Sequence, residues 1–269
     1  MQPWNIAHRG GAALSPENTL TAFKRAMSLG SDGVELDVQL SRDNVVVVHH
    51  DFRLNPGYTR LRGENWLEGP GPRVKDLTVE ELHRYNIGLP RPGSIYAREH
   101  PLLVDADGEG VPTLEATVRI SKIYSRFEMM VELKCDASDD SADPIALADA
   151  AYDVIERADF LDNAIFVGFD WRALTRIHQL GGVCWFTTDK LSGELSVDAR
   201  PVIDAIAQAG GQGWFANFPD ATPGNVAYAR AQGLKVGAWT VNDPADMNRL
   251  KALDAICSDR PDLMAARQG

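Results

Sequence analysis

Apolar and polar residues alternate along this chain with two different periods. Short runs rich in β-branched and aromatic residues recur, and between them lie longer stretches whose apolar residues return every three to four positions. Many of these longer stretches open on Pro, Ser, Thr or Asp and close on Gly, as helix ends do. The pattern predicts strands at Asn5–His8, Gly33–Asp37, Val45–His50, Met129–Lys134, Ile165–Phe169, Val183–Thr187, Trp214–Asn217, Val236–Val241 and Ala255–Ser258. It predicts helices at Pro16–Leu29, Thr113–Ser121, Pro144–Arg157, Trp171–Leu180, Pro201–Ala209, Pro223–Gln232 and Pro244–Ala252.

Strands that alternate with helices favour parallel pairing through right-handed crossovers. The predicted class is therefore α/β, as either a closed (β/α)₈ barrel or an open doubly wound sheet. Nine strands are one too many for an eight-stranded barrel. In addition, the link between Gly33–Asp37 and Val45–His50 is too short for a helical crossover. Either this link runs back as an extended segment or one of the runs is an accessory strand, and the sequence leaves both open.

Residues 52–112 interrupt the alternation and are called the insertion below. They are rich in Pro and Gly, as in Asn55-Pro56-Gly57 and Gly69-Pro70-Gly71-Pro72, and one short helix is expected from about Thr78 to Tyr85. A connection of this length inside a compact domain is usually functional. We interpret it as a loop or small subdomain inserted between early strands of one domain spanning residues 1–269, although a surface ornament would also fit.

Composition narrows the classes of partner. The chain has 269 residues, 44% of them apolar, and a net charge of −11, which argues against a nucleic-acid partner. An anionic small substrate would need a local cation.

No window reaches the roughly 18 apolar residues of a membrane span, and stable membrane association is not expected. Three well-separated cysteines indicate buried thiols. Strand-like residues beginning at Asn5 leave no room for a signal peptide, so a cytoplasmic location is expected, or a periplasmic one if a leader was removed.

Acidic residues on two predicted strands are candidate metal ligands. Glu35 and Asp37 alternate along a strand and point to one face, about 6–7 Å apart. Inside a barrel, paired carboxylates need a cation between them, and hard oxygen ligands favour Mg²⁺ or Ca²⁺. Glu132 can supply a third oxygen, and Lys134 shares its face. A solvated edge strand would also explain the first pair, and an ion pair would explain Glu132 and Lys134.

Histidines and an arginine stand where strands end. His8 and His50 each follow an apolar run, and strand-end loops form the catalytic face of α/β barrels. His49 and His50 point to opposite faces, so at most one faces a site there. Arg9 can hold phosphate oxygens. Two histidines, a divalent ion, Arg9 and Lys134 together describe a phosphoryl-transfer site.

Taken together, these motifs resemble the glycerophosphodiester phosphodiesterase family. The matching stretches run in order along nearly the whole chain: His8-Arg9-Gly10, Pro16-Glu17-Asn18-Thr19, Val34-Glu35-Leu36-Asp37-Val38, His50-Asp51, Val131-Glu132-Leu133-Lys134, Trp239-Thr240-Val241-Asn242 and Ser258-Asp259-Arg260-Pro261. The resemblance implies a (β/α)₈ barrel. It also implies hydrolysis of glycerophosphodiesters to glycerol 3-phosphate and an alcohol.

The resemblance further implies the role of each site residue. One divalent ion, Mg²⁺ or Ca²⁺, would be bound by Glu35, Asp37 and Glu132, with His8 and His50 as the general acid/base pair. Phosphate and substrate would be held by Arg9, Lys134, Phe169 and Trp239. Supporting roles fall to Glu17, Asn18 and Asp51.

One departure and two alternatives remain. After His50-Asp51 many family members carry a Leu-x-Arg-Thr-Thr-like run, whereas this chain reads Arg53-Leu54-Asn55-Pro56-Gly57-Tyr58-Thr59-Arg60. The alternatives are a phospholipase D- or sphingomyelinase-like lyase that forms cyclic phosphates, and a non-catalytic module that senses phosphodiesters. The headgroup, the identity of the ion and the oligomeric state are left open.

Overall fold

The alternating strands and helices close into a parallel barrel in the computed structural model, which describes residues 2–63, 65–124, 127–138, 140–191 and 198–264. In chain order the strands are β1 Trp4–Ala7, β2 Gly33–Leu40, β3 Val46–Val48, β4 Arg60–Leu61, β5 Tyr85–Asn86, β6 Glu128–Leu133, β7 Ala164–Gly168, β8 Cys184–Thr188, β9 Gly213–Asn217, β10 Lys235–Trp239 and β11 Ala255–Ser258. Eight of them form the barrel in the order β1-β2-β6-β7-β8-β9-β10-β11, and β11 pairs back to β1. The predicted (β/α)₈ barrel is confirmed.

The helices lie between barrel strands or within the insertion. They are α1 Leu20–Ser28, α2 Val79–Leu82, α3 Ile95–Glu99, α4 Leu114–Ser121, α5 Pro144–Arg157, α6 Trp171–Leu180, α7 Arg200–Gln208, α8 Pro223–Ala231 and α9 Pro244–Arg249. The first helix is shorter than predicted. Asn18 has a φ of 56°, in the left-handed region, so Pro16–Thr19 forms a turn and Thr19 caps α1.

The ninth predicted strand is an accessory strand. β2 continues to Leu40 and folds back into β3, which pairs with it in antiparallel register, Val38 opposite Val48 and Leu40 opposite Val46. The tight link explains why no helix was needed between the two runs. Because β3 lies outside the barrel, the eight parallel strands close without it.

Two apolar layers hold the barrel together. Outward-facing strand residues pack against the helices, while Ile6, Met130, Val167, Trp185 and Phe215 belong to a second cluster that fills the barrel interior. Cys135, Cys184 and Cys257 are buried free thiols, as expected.

The insertion carries a smaller core of its own. Leu54, Tyr58, Val74 and Leu82 are buried together with Val47 of β3. β4 and β5 pair in a two-stranded sheet, and the predicted helix is α2, which ends at Leu82 because β5 follows. Helix α3 was not predicted, since its single turn is too short to show a period. Within the described residues, no helix combines the length and apolar character required to cross a membrane.

Candidate active site

Strand register brings three carboxylates together at the carboxyl end of the barrel. Asp37 of β2 lies directly opposite Glu132 of β6, and Glu35 precedes Asp37 by two residues on the same face. One oxygen of each side chain lies within 4.8 Å of the others, and all three residues are buried. Glu35, Asp37 and Glu132 are called the acidic cluster below.

The charges and hydrogen bonds of the acidic cluster indicate a site for a cation. Burial raises the pKa of Glu35, and the charges of Asp37 and Glu132 raise it further. Burial also opposes ionisation of Asp37, but the charges of His50 and Arg9 outweigh it and lower that pKa overall. Glu35 Oε1 and Asp37 Oδ1 are buried without a hydrogen-bond partner. Two buried carboxylate oxygens without a hydrogen-bond partner in one cluster suit a hard divalent cation.

Arg9 leaves β1 in a conformation that directs both its backbone and its side chain at the acidic cluster. Its φ is 50°, in the left-handed region that non-glycine residues seldom adopt. The Arg9 amide donates to Glu35 Oε2 at 3.0 Å, and Nε lies 3.4 Å from Asp37 Oδ2. The guanidinium also donates to Glu17 Oε1 at 3.0 Å. Glu17 therefore orients Arg9.

Lys134 and Asn18 approach the cluster from other sides. Lys134 Nζ lies 2.9 Å from Glu132 Oε1 and 3.9 Å from Asp37 Oδ1. These carboxylates raise its pKa against the opposing effect of burial, so it stays charged. Asn18 donates from Nδ2 to Asp37 Oδ2 at 2.8 Å. Its side chain therefore supports Asp37, while its backbone amide donates to the Arg9 carbonyl.

His8 is positioned by the barrel. Ala7 of β1 lies opposite Val34 of β2 and Ser258 of β11, so the residues that follow each of them, His8, Glu35 and Asp259, come side by side. His8 Nδ1 is 2.6 Å from Asp259 Oδ1, and Nε2 is 3.8 Å from Glu35 Oε2. Asn242 donates to Asp259 Oδ2 at 2.7 Å. This arrangement places the proton of neutral His8 on Nδ1 and directs Nε2 toward the acidic cluster.

His50 is positioned by its own loop. His50 Nδ1 is 2.7 Å from Asp51 Oδ1, and Asn55 donates to Asp51 Oδ2 at 2.9 Å. Gln39 of β2 donates from Nε2 to the carbonyl oxygens of residues 49, 50 and 51, which pins the loop to the barrel. His49 is buried with its ring 6.0 Å from that of Tyr58, and burial lowers its pKa.

Two aromatic side chains meet where β7 and β10 end. The rings of Phe169 and Trp239 are 5.3 Å apart and nearly perpendicular. Phe169 is 41% exposed. The pair offers an apolar surface that a small substrate can contact.

Comparison with known proteins decides the family. The glycerophosphoryl diester phosphodiesterase family matches residues 8–263. The chain belongs to this family. It is an enzyme of the phosphodiesterase class.

Individual relatives agree along nearly the whole chain. A glycerophosphodiester phosphodiesterase of Caldanaerobacter subterraneus is 28% identical over 96% of this chain and 95% of its own. A Silicibacter pomeroyi structure, assigned as a glycerophosphoryl diester phosphodiesterase, is 29% identical with a TM-score of 0.87 and covers 96% of this chain and 90% of that one. An Oleispira antarctica phosphodiesterase solved with the product sn-glycerol-3-phosphate is 24% identical with a TM-score of 0.74, over 97% and 94% of the two chains.

Sequence reasoning about this family member gave no role to several polar side chains near the site, among them Asp259, Asn55 and Tyr96. Asp259 stood in a matching motif at a strand end, the same signal that selected His8, and so could have been found. Asn55 and Tyr96 belong to the insertion, where no period or motif marked them. Tyr96 donates to Glu17 Oε2 at 3.3 Å and so supports the carboxylate that holds Arg9.

Proposed function

We propose that this enzyme hydrolyses glycerophosphodiesters to glycerol 3-phosphate and an alcohol, with one bound divalent ion and two histidines in acid/base catalysis. The small-molecule substrate class follows from the family, and the Oleispira relative carries the corresponding product. The roles of the individual residues are those that the family resemblance implies, and the contacts within this chain support them.

One observation carries the proposal: two histidines, each held at Nδ1 by a carboxylate, adjoin a buried cluster of three further carboxylates, His8 with Nε2 3.8 Å from Glu35 and His50 through its charge acting on Asp37. A carboxylate on Nδ1 leaves Nε2 as the proton-exchanging atom and supports the charged imidazolium when it forms. Two such groups can accept one proton and donate another in a single displacement at phosphorus.

Glu35, Asp37 and Glu132 would hold the ion, as Mg²⁺ or Ca²⁺, because the cluster offers only oxygen ligands, two of them without a hydrogen-bond partner. When bound, the ion supplies positive charge that offsets the charge of the phosphodiester in the transition state. Arg9 and Lys134 add cationic donors beside the cluster, and Phe169 and Trp239 pack against the substrate.

The reaction then needs only proton transfers by the chain. One histidine accepts the proton of the glycerol 2-hydroxyl while the oxygen of that hydroxyl bonds to phosphorus. The other donates a proton to the leaving alcohol oxygen as that P–O bond breaks, leaving a cyclic phosphate. Water then opens the ring with the proton roles reversed. The adjacent hydroxyl has a high effective molarity, which favours this route.

A metal-by-substrate panel tests the proposal. Enzyme stripped with EDTA should not release glycerol 3-phosphate from glycerophosphocholine, and Mg²⁺ or Ca²⁺ should restore release. The panel should include ethanolamine, glycerol and inositol diesters. Glu132→Gln should abolish the metal response, whereas Glu128→Gln, the same change at the opposite end of β6, should preserve it. Activity that survives chelation contradicts the metal role.

Product analysis separates hydrolysis from lyase chemistry. ³¹P NMR should show glycerol 3-phosphate as the final product. A cyclic phosphate that persists would instead support the lyase alternative. A 2-deoxy analogue of the substrate should not react, and its normal turnover would exclude attack by the 2-hydroxyl.

A further inference from the structure

The first turn of the insertion begins at Asn55, and the side chain of Asn55 reaches the loop that carries His50. Asn55 donates from Nδ2 to Asp51 Oδ2 at 2.9 Å, and its Oδ1 accepts the Gly57 amide at 2.8 Å. Both ends of the amide are therefore engaged, which fixes the direction in which Nδ2 points. Leu54, immediately before it, is fully buried in the core of the insertion and anchors the turn.

The same connection occurs on the other side of the site. His8 Nδ1 contacts Asp259 Oδ1, and Asn242 donates to Asp259 Oδ2. His50 Nδ1 contacts Asp51 Oδ1, and Asn55 donates to Asp51 Oδ2. Each histidine is thus followed by a carboxylate and then by an asparagine amide.

We infer that Asn55 is a positioning residue for the reaction, and that the insertion acts on the site through it. Asn55 immobilises Asp51, and Asp51 holds His50 at Nδ1, which leaves Nε2 as the atom available for proton exchange, while the imidazole lies close enough for its charge to act on Asp37. The inference rests on the proposed acid/base role of His50. It assigns a function to Asn55, which lies in the segment after Asp51 where this chain departs from the common family pattern.

Physical reasoning supports the need for Asn55. The Asp51 side chain is 37% exposed, against 23% for Asp259, so less packing restrains its carboxylate. A carboxylate bound at one oxygen can rotate and carry its histidine with it, whereas one bound at both oxygens cannot. Burial opposes ionisation of Asp51, but its hydrogen bonds to His50 and Asn55 and the nearby histidines lower its pKa, so Asp51 stays an acceptor.

Asn55→Asp replaces the hydrogen bond to Asp51 with a repulsion between two carboxylates. Aspartate keeps an oxygen that accepts the Gly57 amide, so the turn is retained, but it removes the donor to Asp51. We expect kcat on glycerophosphocholine to fall about 10–100-fold, the range for residues that orient a catalytic ligand, with KM changed less than kcat. Asn55→Ser, whose hydroxyl can accept the same amide but is too short to reach Asp51, should behave similarly if Asn55→Asp folds poorly.

A matched control lies in the same insertion. Asn86 donates to Asp107 Oδ1 at 2.6 Å and accepts the Gly88 amide at 3.0 Å, the same arrangement with no histidine attached. Asn86→Asp should lower the melting temperature and leave kcat unchanged. A double-mutant cycle adds specificity: in an Asp51→Asn background, Asn55→Asp should have no further effect on kcat.

The tautomer of His50 supplies a readout independent of turnover. Long-range ¹H–¹⁵N correlation spectra of histidine-labelled enzyme, assigned with His50→Gln, should show the Nδ1–H form in wild type and a mixture in Asn55→Asp. Unchanged kcat in Asn55→Asp, while His50→Ala is inactive, overturns the inference and leaves the proposed function intact. If His50→Ala is active, the proposed function fails, and the spectrum alone decides whether Asn55 positions His50.

Discussion

The two histidines of the site are supported by different parts of the molecule. His8 is held by Asp259, which is 251 residues away in the sequence and directly follows the last barrel strand. His50 is held by the next residue, Asp51, and by Asn55 at the start of the insertion. The barrel thus positions one histidine through strand register, and a local turn positions the other.

This difference predicts how substitutions near each histidine affect stability and activity. The position of His8 is part of barrel closure, because β1 is paired with both β2 and β11. The loop after β3 is held by Gln39, by the His49 amide donating to the Asp37 carbonyl, and by the insertion. We therefore expect substitutions near His8 to affect stability and activity together, and substitutions near His50 to affect activity more selectively.

The largest effects should come from the two carboxylates that hold the histidines. Asp259→Asn and Asp51→Asn should each lower kcat about 10–100-fold, because each leaves its imidazole without an anionic partner. Asp259→Asn should also lower the melting temperature, since it disturbs the bonds to Asn242 between neighbouring strand ends, whereas Asp51→Asn should lower it less. Steady-state kinetics and thermal unfolding measure both. Equal losses of melting temperature would contradict the comparison.

An intermediate effect should appear in the metal-free enzyme. Because the pKa of Glu35 is raised in the folded state, the protonated carboxyl favours the folded state at low pH. This stabilisation is lost as the pH rises from the unfolded pKa of about 4.3 through the folded pKa. The lowered pKa of Asp37 has the opposite sign, and its contribution is lost as the pH falls. At neutral pH without metal, Glu35→Gln should therefore raise the melting temperature and Asp37→Asn should lower it.

Metal titration of Glu35→Gln and Asp37→Asn tests whether both side chains bind the ion. Both variants should lose the rise in melting temperature that Mg²⁺ or Ca²⁺ gives to the wild type, because each removes a proposed ligand. A wild-type-sized rise in either variant would exclude that side chain as a ligand.

The smallest effect should come from the second contact of the insertion. Tyr96→Phe removes the hydroxyl that donates to Glu17, which in turn holds Arg9. A hydrogen bond to a carboxylate is worth about 1.5–3 kcal/mol, but this one is long at 3.3 Å and acts on Arg9 only through Glu17, so we expect a several-fold rise in KM with little change in kcat. Tyr58→Phe is the matched control, since the buried Tyr58 hydroxyl has no hydrogen-bond partner and its ring lies 4.6 Å from that of Tyr96. Equal changes in KM would refute the Tyr96 contact.

Much of the part of the site that the barrel strands carry could be predicted from the sequence. The spacing of Glu35 and Asp37 on an apolar strand, and the placement of His8 at a strand end, are local patterns whose geometry follows from the period of a β-strand. The insertion side resisted prediction because its contacts are made by single polar side chains at irregular spacing. Asn55 and Tyr96 show no pattern until the chain folds around them.

The sequence by itself determined the class of the fold, the family and the residue types of the chemistry, because strand and helix periods and ordered motifs are properties of neighbouring residues. Tertiary structure alone decided that β3 lies outside the barrel, that Asp37 faces Glu132, and that Asp259 reaches His8. These are consequences of register and closure, which depend on how distant segments pack and which no local pattern encodes.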